Sequence, residues 1–294
     1  MNSKRIACMV MGCAMWVLAA CSTPAGDNAP QADPTMAPVA TWTATAEPSA
    51  TPAPPPTVTP ATRTLKVAIN AAFKPFVFID ENGKLAGFDI DLLNALDEVA
   101  DVEVAYVNTS IEDMLAGVAS GAYDAAISAI TVTPARQERM DFTVPYFRAG
   151  QAPVSFFSAG QGLATAMGST TITGTASLDA SHRVGVKQGT TGAEFVASQT
   201  AAQVVEYAEA QQALDGLTAG EVDAVVLDIS ILANYTINNP GAIMLVGGPV
   251  TDEEYAIAVN KQRPEVLAML NDALADVRAN GTYDGLLRKW FGTP

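Results

Sequence analysis

The sequence predicts an α/β protein built from two lobes. Strand-like and helical segments alternate between residues 64 and 130, and the same alternation begins again after residue 150. This alternation is typical of mostly parallel sheets whose strands are joined by right-handed crossovers. Because residues 142–158 between the two blocks have no helical period, we expect two α/β lobes.

The first twenty residues read as a signal peptide. A short basic start precedes an apolar stretch, residues 6–20, that is too short for a spanning helix. The stretch ends in Leu-Ala-Ala-Cys, which resembles the lipobox of bacterial lipoproteins and implies that Cys21 is lipidated. An ordinary signal peptide with a chance cysteine is the alternative. Cleavage would remove Cys8 and Cys13, so no disulfide framework is expected.

Residues 21–63 are predicted to be a disordered tether. They are mostly Pro, Ala and Thr with almost no large apolar side chains, so they cannot bury enough surface to offset the entropy lost on ordering. The prolines should keep this segment extended. Residues 64–294 remain as the folded part, which is long enough for one large or two modest domains.

The charge and residue types exclude several classes of function. The chain has a formal net charge of −15 and shows no basic patch and no phosphate-binding loop, which argues against nucleic acid as a partner. His182, the single histidine, has no Cys, Asp or Glu at metal-ligand spacing, so we predict no metal and no cofactor. Ser128 has no histidine base within reach in the sequence, and no catalytic residue is assigned.

The predicted elements follow in order along both blocks. Strands are expected at residues 64–70, 102–108 and 123–130 of the first block, with helices at 88–100 and 111–122. In the second block the alternating segments are 183–189, 191–199, 202–208, 209–220, 221–228, 230–237 and 242–248. A strand at 255–261 and a helical region at 264–291 complete the chain. Ligands of open parallel sheets bind outside the carboxyl ends of the strands, so the cleft between the lobes is the expected site.

Five motifs, in this order and spacing, resemble the family 3 solute-binding proteins, which are polar amino-acid receptors of ABC importers. They are GFDIDL (87–92), YDAAISAITVTPARQERMDFTVPYF (123–147), VGVKQGTTGAEF (184–195), EVDAVVLD (221–228) and GTYDGLLRKWFG (281–292). The resemblance implies the two-lobed periplasmic-binding-protein type II fold, with two crossing hinge strands near residues 146–150 and 253–256. Lobe 1 would comprise residues 64–147 and 255–294, and lobe 2 residues 148–254.

Arg136 is the predicted carboxylate-binding residue. Thr133 and Pro134 are typical of a helix N-cap and first helical residue, which would place Arg136 in the first turn near the positive end of the helix dipole. A guanidinium holds a carboxylate through two parallel hydrogen bonds. On chemistry alone, pairing of Arg136 with Glu138 or Asp141 is equally reasonable. The family resemblance implies that Arg136 clamps the ligand α-carboxylate.

The resemblance also implies the rest of the main-chain contacts. Thr131 would donate its hydroxyl and amide to the ligand, and the carbonyl of Ala129 would accept from the ammonium. Asp228 would supply the anion for that ammonium, with helix capping as its alternative role. Thr190 and Thr191 open a helix after a strand and would complete the carboxylate shell. Contacts from both lobes would favour closure.

The residues that read the ligand side chain are less typical of the family. Asn70 ends the first strand at a position where an acidic residue is common, which disfavours a basic ligand. Phe73 would form an aromatic wall or pack in the core, and Ile111 would replace the opposite aromatic wall. Lys187 would favour an amide or acidic group unless it lies on the surface. We therefore expect a polar amino acid, glutamine-like before basic.

The predicted function is that of an extracytoplasmic receptor, monomeric and anchored to the membrane through Cys21, that delivers an amino acid to an ABC transporter permease. An enzyme on the same fold, similar to cyclohexadienyl or arogenate dehydratase, is the alternative and would need a further titratable group in the cleft. A sensory domain of a larger receptor is the third class. It is disfavoured because no spanning segment or second catalytic domain is expected.

Overall fold

The computed structural model describes residues 63–148 and 158–292. The predicted signal peptide, Cys21 and the tether up to residue 62 lie outside the described residues. Within the described ranges, no helix has both the length and the apolar character needed to cross a membrane. The same ranges contain no cluster of three His, Cys, Asp or Glu side chains that could hold a metal ion.

The first part of the chain builds most of lobe 1. Its elements are β1 (Arg63–Ile69), β2 (Ala72–Phe73), β3 (Val77–Ile79), β4 (Leu85–Ala86), α1 (Phe88–Ala100), β5 (Val102–Asn108), α2 (Ile111–Ser120), β6 (Ala125–Ala126), α3 (Pro134–Gln137), β7 (Asp141–Phe142) and β8 (Phe147–Arg148). Helix α2 shows how local sequence sets these limits. The side chain of Ser110 caps it by accepting from the Asp113 amide, and Gly121 ends it at a φ of 84°.

The middle of the chain builds lobe 2. Its elements are β9 (Gln161–Ala166), β10 (Arg183–Lys187), α4 (Thr191–Gln199), β11 (Gln203–Tyr207), α5 (Ala210–Thr218), β12 (Ala224–Asp228), α6 (Ile229–Asn238) and β13 (Ile243–Val246), with a short 3₁₀ turn at Thr175–Ser177. The chain then returns to lobe 1 through β14 (Glu254–Tyr255), β15 (Ala258–Val259), α7 (Pro264–Ala279) and α8 (Thr282–Phe291).

Each lobe is organised around one five-stranded sheet. The strand order is β5-β1-β6-β15-β7 in lobe 1 and β11-β10-β12-β9-β13 in lobe 2. In each sheet one strand, β15 or β9, runs antiparallel to both of its neighbours. Each of these two strands follows a passage from the other lobe, so it is not constrained by a helical crossover. The remaining pairs are parallel, which agrees with the predicted mostly parallel fold.

Two short strands join the lobes. β8 pairs with β14 in an antiparallel ladder, with Phe147 opposite Tyr255 and Arg148 opposite Glu254. The rings of Phe147 and Tyr255 stack with centroids 6.0 Å apart and belong to the aromatic core of lobe 1, which also contains Phe76 and Phe291. This pair occupies the two positions where the sequence predicts the crossings. The numerical boundaries assigned to the lobes stay predictions.

Several elements differ from the sequence predictions, among them the short strands β2, β3, β4 and β7, for which no strand was expected. Only Ala125–Ala126 of the strand expected at residues 123–130 is paired, because the backbone leaves the sheet to line the space between the lobes. Residues 255–261 divide between β14 and β15, and the C-terminal helical region divides at Gly281, whose φ of 81° interrupts helical geometry. Strand β9 was not predicted, since Gly, Ala and Thr form much of it and show no clear alternation.

Candidate functional site

The ten residues predicted to bind ligand line one pocket between the lobes. They are Asn70, Phe73, Ile111, Ala129, Thr131, Arg136, Lys187, Thr190, Thr191 and Asp228. Six further residues complete the lining, namely Met114, Leu115, Ser128, Ile130, Gln161 and Ile231. The structure therefore brings together side chains that the sequence separates by up to about 160 positions, although their roles toward a ligand stay predictions.

The carboxyl ends of four strands position the polar lining. Asn70 follows β1, and residues 128–131 follow β6, the parallel neighbour of β1 in lobe 1. Lys187 and Asp228 are the last residues of β10 and β12, which are parallel neighbours in lobe 2. Because parallel strands end at the same edge of a sheet, each lobe presents its polar groups to the other.

Arg136 lies half-buried in this pocket without a carboxylate partner. Its Nη1 donates to the carbonyl oxygen of Thr131 at 2.9 Å, and its Nη2 donates across the cleft to that of Gly189 at 3.3 Å. Among the described residues, no Asp or Glu oxygen lies within ion-pair distance of the guanidinium, so the alternative pairing with Glu138 or Asp141 is absent. Burial lowers the pKa of Arg136, while acidic groups farther away oppose that effect.

The local geometry around Arg136 follows only part of the prediction. The Thr133 hydroxyl caps α3 by accepting from the Arg136 amide at 3.2 Å, as expected. Helix α3 contains four residues, so it is too short to develop the macrodipole that was expected to assist anion binding. The guanidinium itself, held by two carbonyl groups, is the feature that can recognise an anion.

Glu253 accepts hydrogen bonds from threonines of both lobes. The Thr131 hydroxyl of lobe 1 donates to Oε2 at 2.7 Å, and the Thr191 hydroxyl of lobe 2 donates to Oε1 at 2.7 Å. Thr251 donates to the same Oε1 at 2.9 Å, and Glu253 is buried. The single proton of the Thr131 hydroxyl is bound to Glu253 here, so its donation to a ligand stays a prediction and would require this bond to be exchanged.

Thr190 is also engaged within the protein. Its hydroxyl donates to the carbonyl oxygen of Lys187 at 2.7 Å and accepts from the Ala193 amide at 3.3 Å, which caps α4. A turn through Gly189, at a φ of 73°, leads from β10 into this cap. Any contact of Thr190 with a ligand anion would therefore come from its backbone rather than from its hydroxyl proton.

Asp228 is a buried carboxylate without a cationic partner among the described residues. It accepts from the Tyr255 hydroxyl at 2.8 Å. Burial raises the pKa of Asp228 to about 7, and the negative charge of Glu253 acts in the same direction. Asp228 occupies the N-cap position of α6, yet its side chain makes no capping hydrogen bond. The alternative role of helix capping is thus wrong. We refer to Arg136 and Asp228 together as the clamp.

Lys187 is buried, so the surface alternative is wrong. Its Nζ donates across the cleft to Oδ1 of Asn70 at 2.7 Å and to Oε2 of Glu209 at 2.8 Å. Asn70 is fixed in turn, because its Nδ2 donates to the carbonyl oxygen of Thr109 at 2.8 Å. Glu209 contacts Lys187 but is not one of the residues that line the pocket. We refer to Lys187, Asn70 and Glu209 as the Lys187 network.

The apolar walls of the pocket are unequal, as the sequence suggests. Phe73 lines the pocket and also packs on Phe76 of the lobe 1 core, with ring centroids 5.3 Å apart, while its role as an aromatic wall for a ligand stays a prediction. Ile111, the first residue of α2, is half-buried and lines the same pocket. One wall is aromatic and the other aliphatic, so a flat ligand group would meet a ring on one side only.

Sequence reasoning missed several polar residues around the pocket. Glu253 and Tyr255 lie in the hinge segment, where the only signal was an acidic run before an apolar stretch. Gln161, on the unpredicted β9, donates from Nε2 to the Thr191 hydroxyl at 3.1 Å. Glu209 precedes α5, and its position opposite Lys187 depends on how α5 packs beside β10.

The arrangement of charge suits a small zwitterion. With respect to the part of the chain that the structure describes, the pocket contains a half-buried guanidinium without a carboxylate partner and a buried carboxylate without a cationic partner. Isolated buried charges destabilise a fold unless they gain partners. A ligand that carries both a carboxylate and an ammonium would supply both partners. Such a ligand would also bridge lobe 1, through Arg136, to lobe 2, through Asp228.

Comparison with known proteins agrees with this geometry. The family model of the bacterial extracellular solute-binding proteins, family 3, matches residues 65–293. The probable histidine-binding protein of Neisseria gonorrhoeae is 32% identical over 232 residues, which cover 77% of this chain and 82% of that protein. The putative ABC transporter arginine-binding protein 2 of Escherichia coli K12 is 29% identical over 237 residues, 79% of this chain and 92% of that protein.

Solved structures give the same result for the fold. An ancestral arginine-binding protein bound to arginine superposes with a TM-score of 0.71 at 35% identity, covering 78% of this chain and 98% of that one. These similar proteins are named for the amino acids that they bind, and none of the three is named as an enzyme.

Proposed function

We propose, from the premise that this chain belongs to the bacterial extracellular solute-binding proteins, family 3, that it captures an amino acid between its lobes for an ABC importer. The chain is a binding protein rather than an enzyme, as are the relatives whose names state their activity. As a member of a family described as extracellular, it works outside the cytoplasm. The dehydratase alternative has no support in the names of these relatives.

The observation that carries the proposal is the state of the clamp. Arg136 and Asp228 come from different lobes, line one pocket and have no ion-pair partner among the described residues. An α-amino acid provides a carboxylate for Arg136 and an ammonium for Asp228. Because each charge lies on a different lobe, the ligand would stabilise the closed arrangement, in which both contacts exist together.

The Lys187 network supports a narrower substrate class. Lys187 is the cation that lines the pocket in addition to Arg136, and its carboxylate partner Glu209 is not part of the lining. A ligand side chain with an ammonium or guanidinium group would meet a like charge there and would lack an anion. An amide or carboxylate would instead offer Lys187 an acceptor. We therefore propose a ligand with an acceptor in its side chain, such as glutamine, rather than a basic amino acid.

A thermal-shift screen of the purified protein against the twenty amino acids tests the proposal. A ligand at about a hundred times its Kd stabilises the native state by about 2.7 kcal/mol, which is readily detected. We expect stabilisation by one or a few amino acids with side-chain acceptors and none by arginine or lysine. Stabilisation by arginine alone would contradict the substrate class, and no response to any amino acid would contradict the receptor function.

The lipid anchor is a separate proposal that rests on the sequence around Cys21. We propose that cleavage before Cys21 and its acylation attach the protein to the membrane, with residues 22–63 as the spacer beside the permease. Metabolic labelling with a fatty acid, followed by mass spectrometry of the N-terminal peptide, tests this proposal. Label on the wild type and none on Cys21→Ala is the expected result. Release of unlabelled wild type into the medium would contradict it.

A further inference from the structure

Ala129, in the lining of the pocket, has a backbone conformation that disfavours an L side chain. Its φ is 47°, and among the described residues Asp101 is the one other non-glycine residue with a positive φ. Asp101 follows the last turn of α1, where this conformation is common. Ala129 follows no helix. A strained residue in a binding site indicates that surrounding contacts hold it in place for a purpose.

Two buried side chains hold the backbone amide of Ala129. Its N–H donates to Oδ2 of Asp89 at 2.8 Å and also lies 3.1 Å from the Tyr146 hydroxyl oxygen. Asp89 lies in the first turn of α1, and Tyr146 directly precedes β8, so the contacts come from separate elements. Both residues are fully buried, and neither lines the pocket. These two side chains therefore hold the pocket backbone from the core side and do not themselves line the pocket.

Asp89 is an unfavourable residue for a purely structural role. No cation lies within ion-pair distance of it among the described residues, and burial raises its pKa to about 7. The hydrogen bonds from the Ala129 amide and the Tyr146 hydroxyl oppose that shift but are outweighed by burial. An uncompensated buried carboxylate destabilises a core that apolar side chains could fill.

The bond to Asp89 also sets the direction of a carbonyl group. The peptide between Ser128 and Ala129 is planar and trans, so the Ser128 carbonyl points away from the N–H that Asp89 accepts. Asp89 lies behind the pocket, whereas Ser128 and Ala129 line it. When Asp89 fixes the Ala129 N–H toward the core, the Ser128 carbonyl oxygen is therefore turned toward the pocket, where it could accept from a ligand ammonium.

We propose that Asp89 is a positioning residue for ligand binding: it holds Ala129 in the left-handed conformation and so fixes the acceptor geometry of the pocket backbone. The proposal rests on the proposed function in that the ligand is an α-amino acid. It assigns to Asp89 no contact with the ligand. Asp89 affects ligand affinity only through the backbone conformation of residues 128–129. Replacing Asp89 should therefore have little effect on affinity when residue 129 can adopt the left-handed conformation without steric cost.

A set of four variants tests this coupling. Asp89→Asn keeps the shape but weakens the anchor, and we expect about a tenfold loss of amino-acid affinity by calorimetry. Ala129→Gly removes the steric penalty at a φ of 47°, so the double variant should recover most of that loss. Asp91→Asn is the matched control, because Asp91 lies on the same helix but bonds to Lys289 and Trp290 at the surface. Its affinity should equal that of the wild type.

A second readout needs no ligand. Hydrogen exchange of the Ala129 amide, followed by NMR, should be faster in Asp89→Asn than in the wild type and unchanged in Asp91→Asn. Equal exchange in Asp89→Asn and wild type would overturn the proposal. So would unchanged affinity in Asp89→Asn, or an affinity loss that Ala129→Gly does not restore. If the wild type bound no amino acid, the proposed function would fail, and the exchange result alone would decide the role of Asp89.

Discussion

The clamp and Lys187 line one pocket, but they differ in whether their charges are paired within the protein. Within residues 63–148 and 158–292, Arg136 and Asp228 have no ion-pair partners, whereas Lys187 has both Glu209 and Asn70 as acceptors. Without a ligand, the two unpaired charges of the clamp therefore destabilise the protein. A ligand that pairs with both should bind with a large gain in free energy. In the Lys187 network two of the three donors on Nζ already have acceptors in the protein, so a ligand side chain can add one further hydrogen bond and gains little net free energy.

This difference suggests how affinity and specificity are divided. The clamp recognises groups that all α-amino acids share, so it should contribute most of the affinity. The network selects among amino acids mainly by excluding those that place a positive charge near Lys187. A third element, Glu253, links the two lobes through threonine hydroxyls and should affect closure rather than recognition.

The largest effect is expected from Arg136→Ala. Removing the guanidinium leaves the ligand carboxylate buried and unpaired, which costs about 4 kcal/mol or roughly a thousandfold in Kd. Arg136→Lys should fall between this variant and the wild type, because an ammonium cannot make the bidentate contact. Calorimetric titration measures all three proteins. Arg139→Ala, an exposed neighbour, is the control. A near-native Kd for Arg136→Ala would remove Arg136 from the clamp.

Asp228→Asn should have the next largest effect. The amide keeps a hydrogen-bond acceptor but loses the charge, and we expect about 2–3 kcal/mol, or roughly a hundredfold weaker binding. Asp223→Asn, which alters a surface ion pair with Arg183 just before the same strand, should leave Kd unchanged. Equal losses in the two variants would mean that Asp228 acts through stability and not through the ligand.

The pH dependence of binding gives a second test of Asp228. Its pKa is about 7 in the ligand-free pocket, and a bound ammonium favours the ionised form. Below pH 7 the ligand must displace a proton, so Kd should rise toward tenfold per pH unit on acidification and level off above pH 7. The slope should become much smaller in Asp228→Asn, where protonation of Asp89, whose pKa is also about 7, would still weaken binding by up to about tenfold. A wild-type Kd that stays constant between pH 5 and 8 would contradict this linkage.

Lys187→Met should alter specificity more than affinity. Methionine retains the apolar stem but removes the positive charge, so the ratio of Kd values for arginine and glutamine should shift toward arginine by about tenfold. Lys84→Met, at an exposed lysine, should leave that ratio unchanged. Competition binding with both amino acids measures the ratio. If Lys187→Met lowers both affinities equally, the Lys187 network does not discriminate between side chains.

Glu253→Gln should have the smallest effect. An amide oxygen can accept from one side only, so one of the interlobe threonine contacts must weaken, and ligand dissociation should be a few-fold faster. Glu254→Gln, the next residue, removes only an exposed ion pair with Arg148 and should not change that rate. Stopped-flow kinetics distinguishes the two variants. Identical dissociation rates would show that Glu253 does not take part in closure.

The sequence predicts the fold and the residues that line the pocket better than it predicts the hydrogen-bond and ion-pair partners of those residues. Alternating periodicities locate most helices and strands, whereas the roles given to Arg136 and Asp228 come from the family resemblance. The partners of Lys187 and Thr131 could not be predicted in this way, because Glu253 lies 122 positions from Thr131 along the chain. Whether a pocket charge is paired depends on such distant contacts, and local sequence carries no signal of them.

Arg136 is proposed to be held without an ion-pair partner so that it can bind the carboxylate of the ligand. A double cycle tests it: the preferred amino acid and the amine that lacks its α-carboxylate are each titrated into wild type and Arg136→Ala. We predict that loss of the carboxylate weakens binding to wild type about a thousandfold but has little further effect in Arg136→Ala, a coupling of about 3–4 kcal/mol. If the two losses simply add, Arg136 and the ligand carboxylate do not interact, and the account of the clamp is wrong.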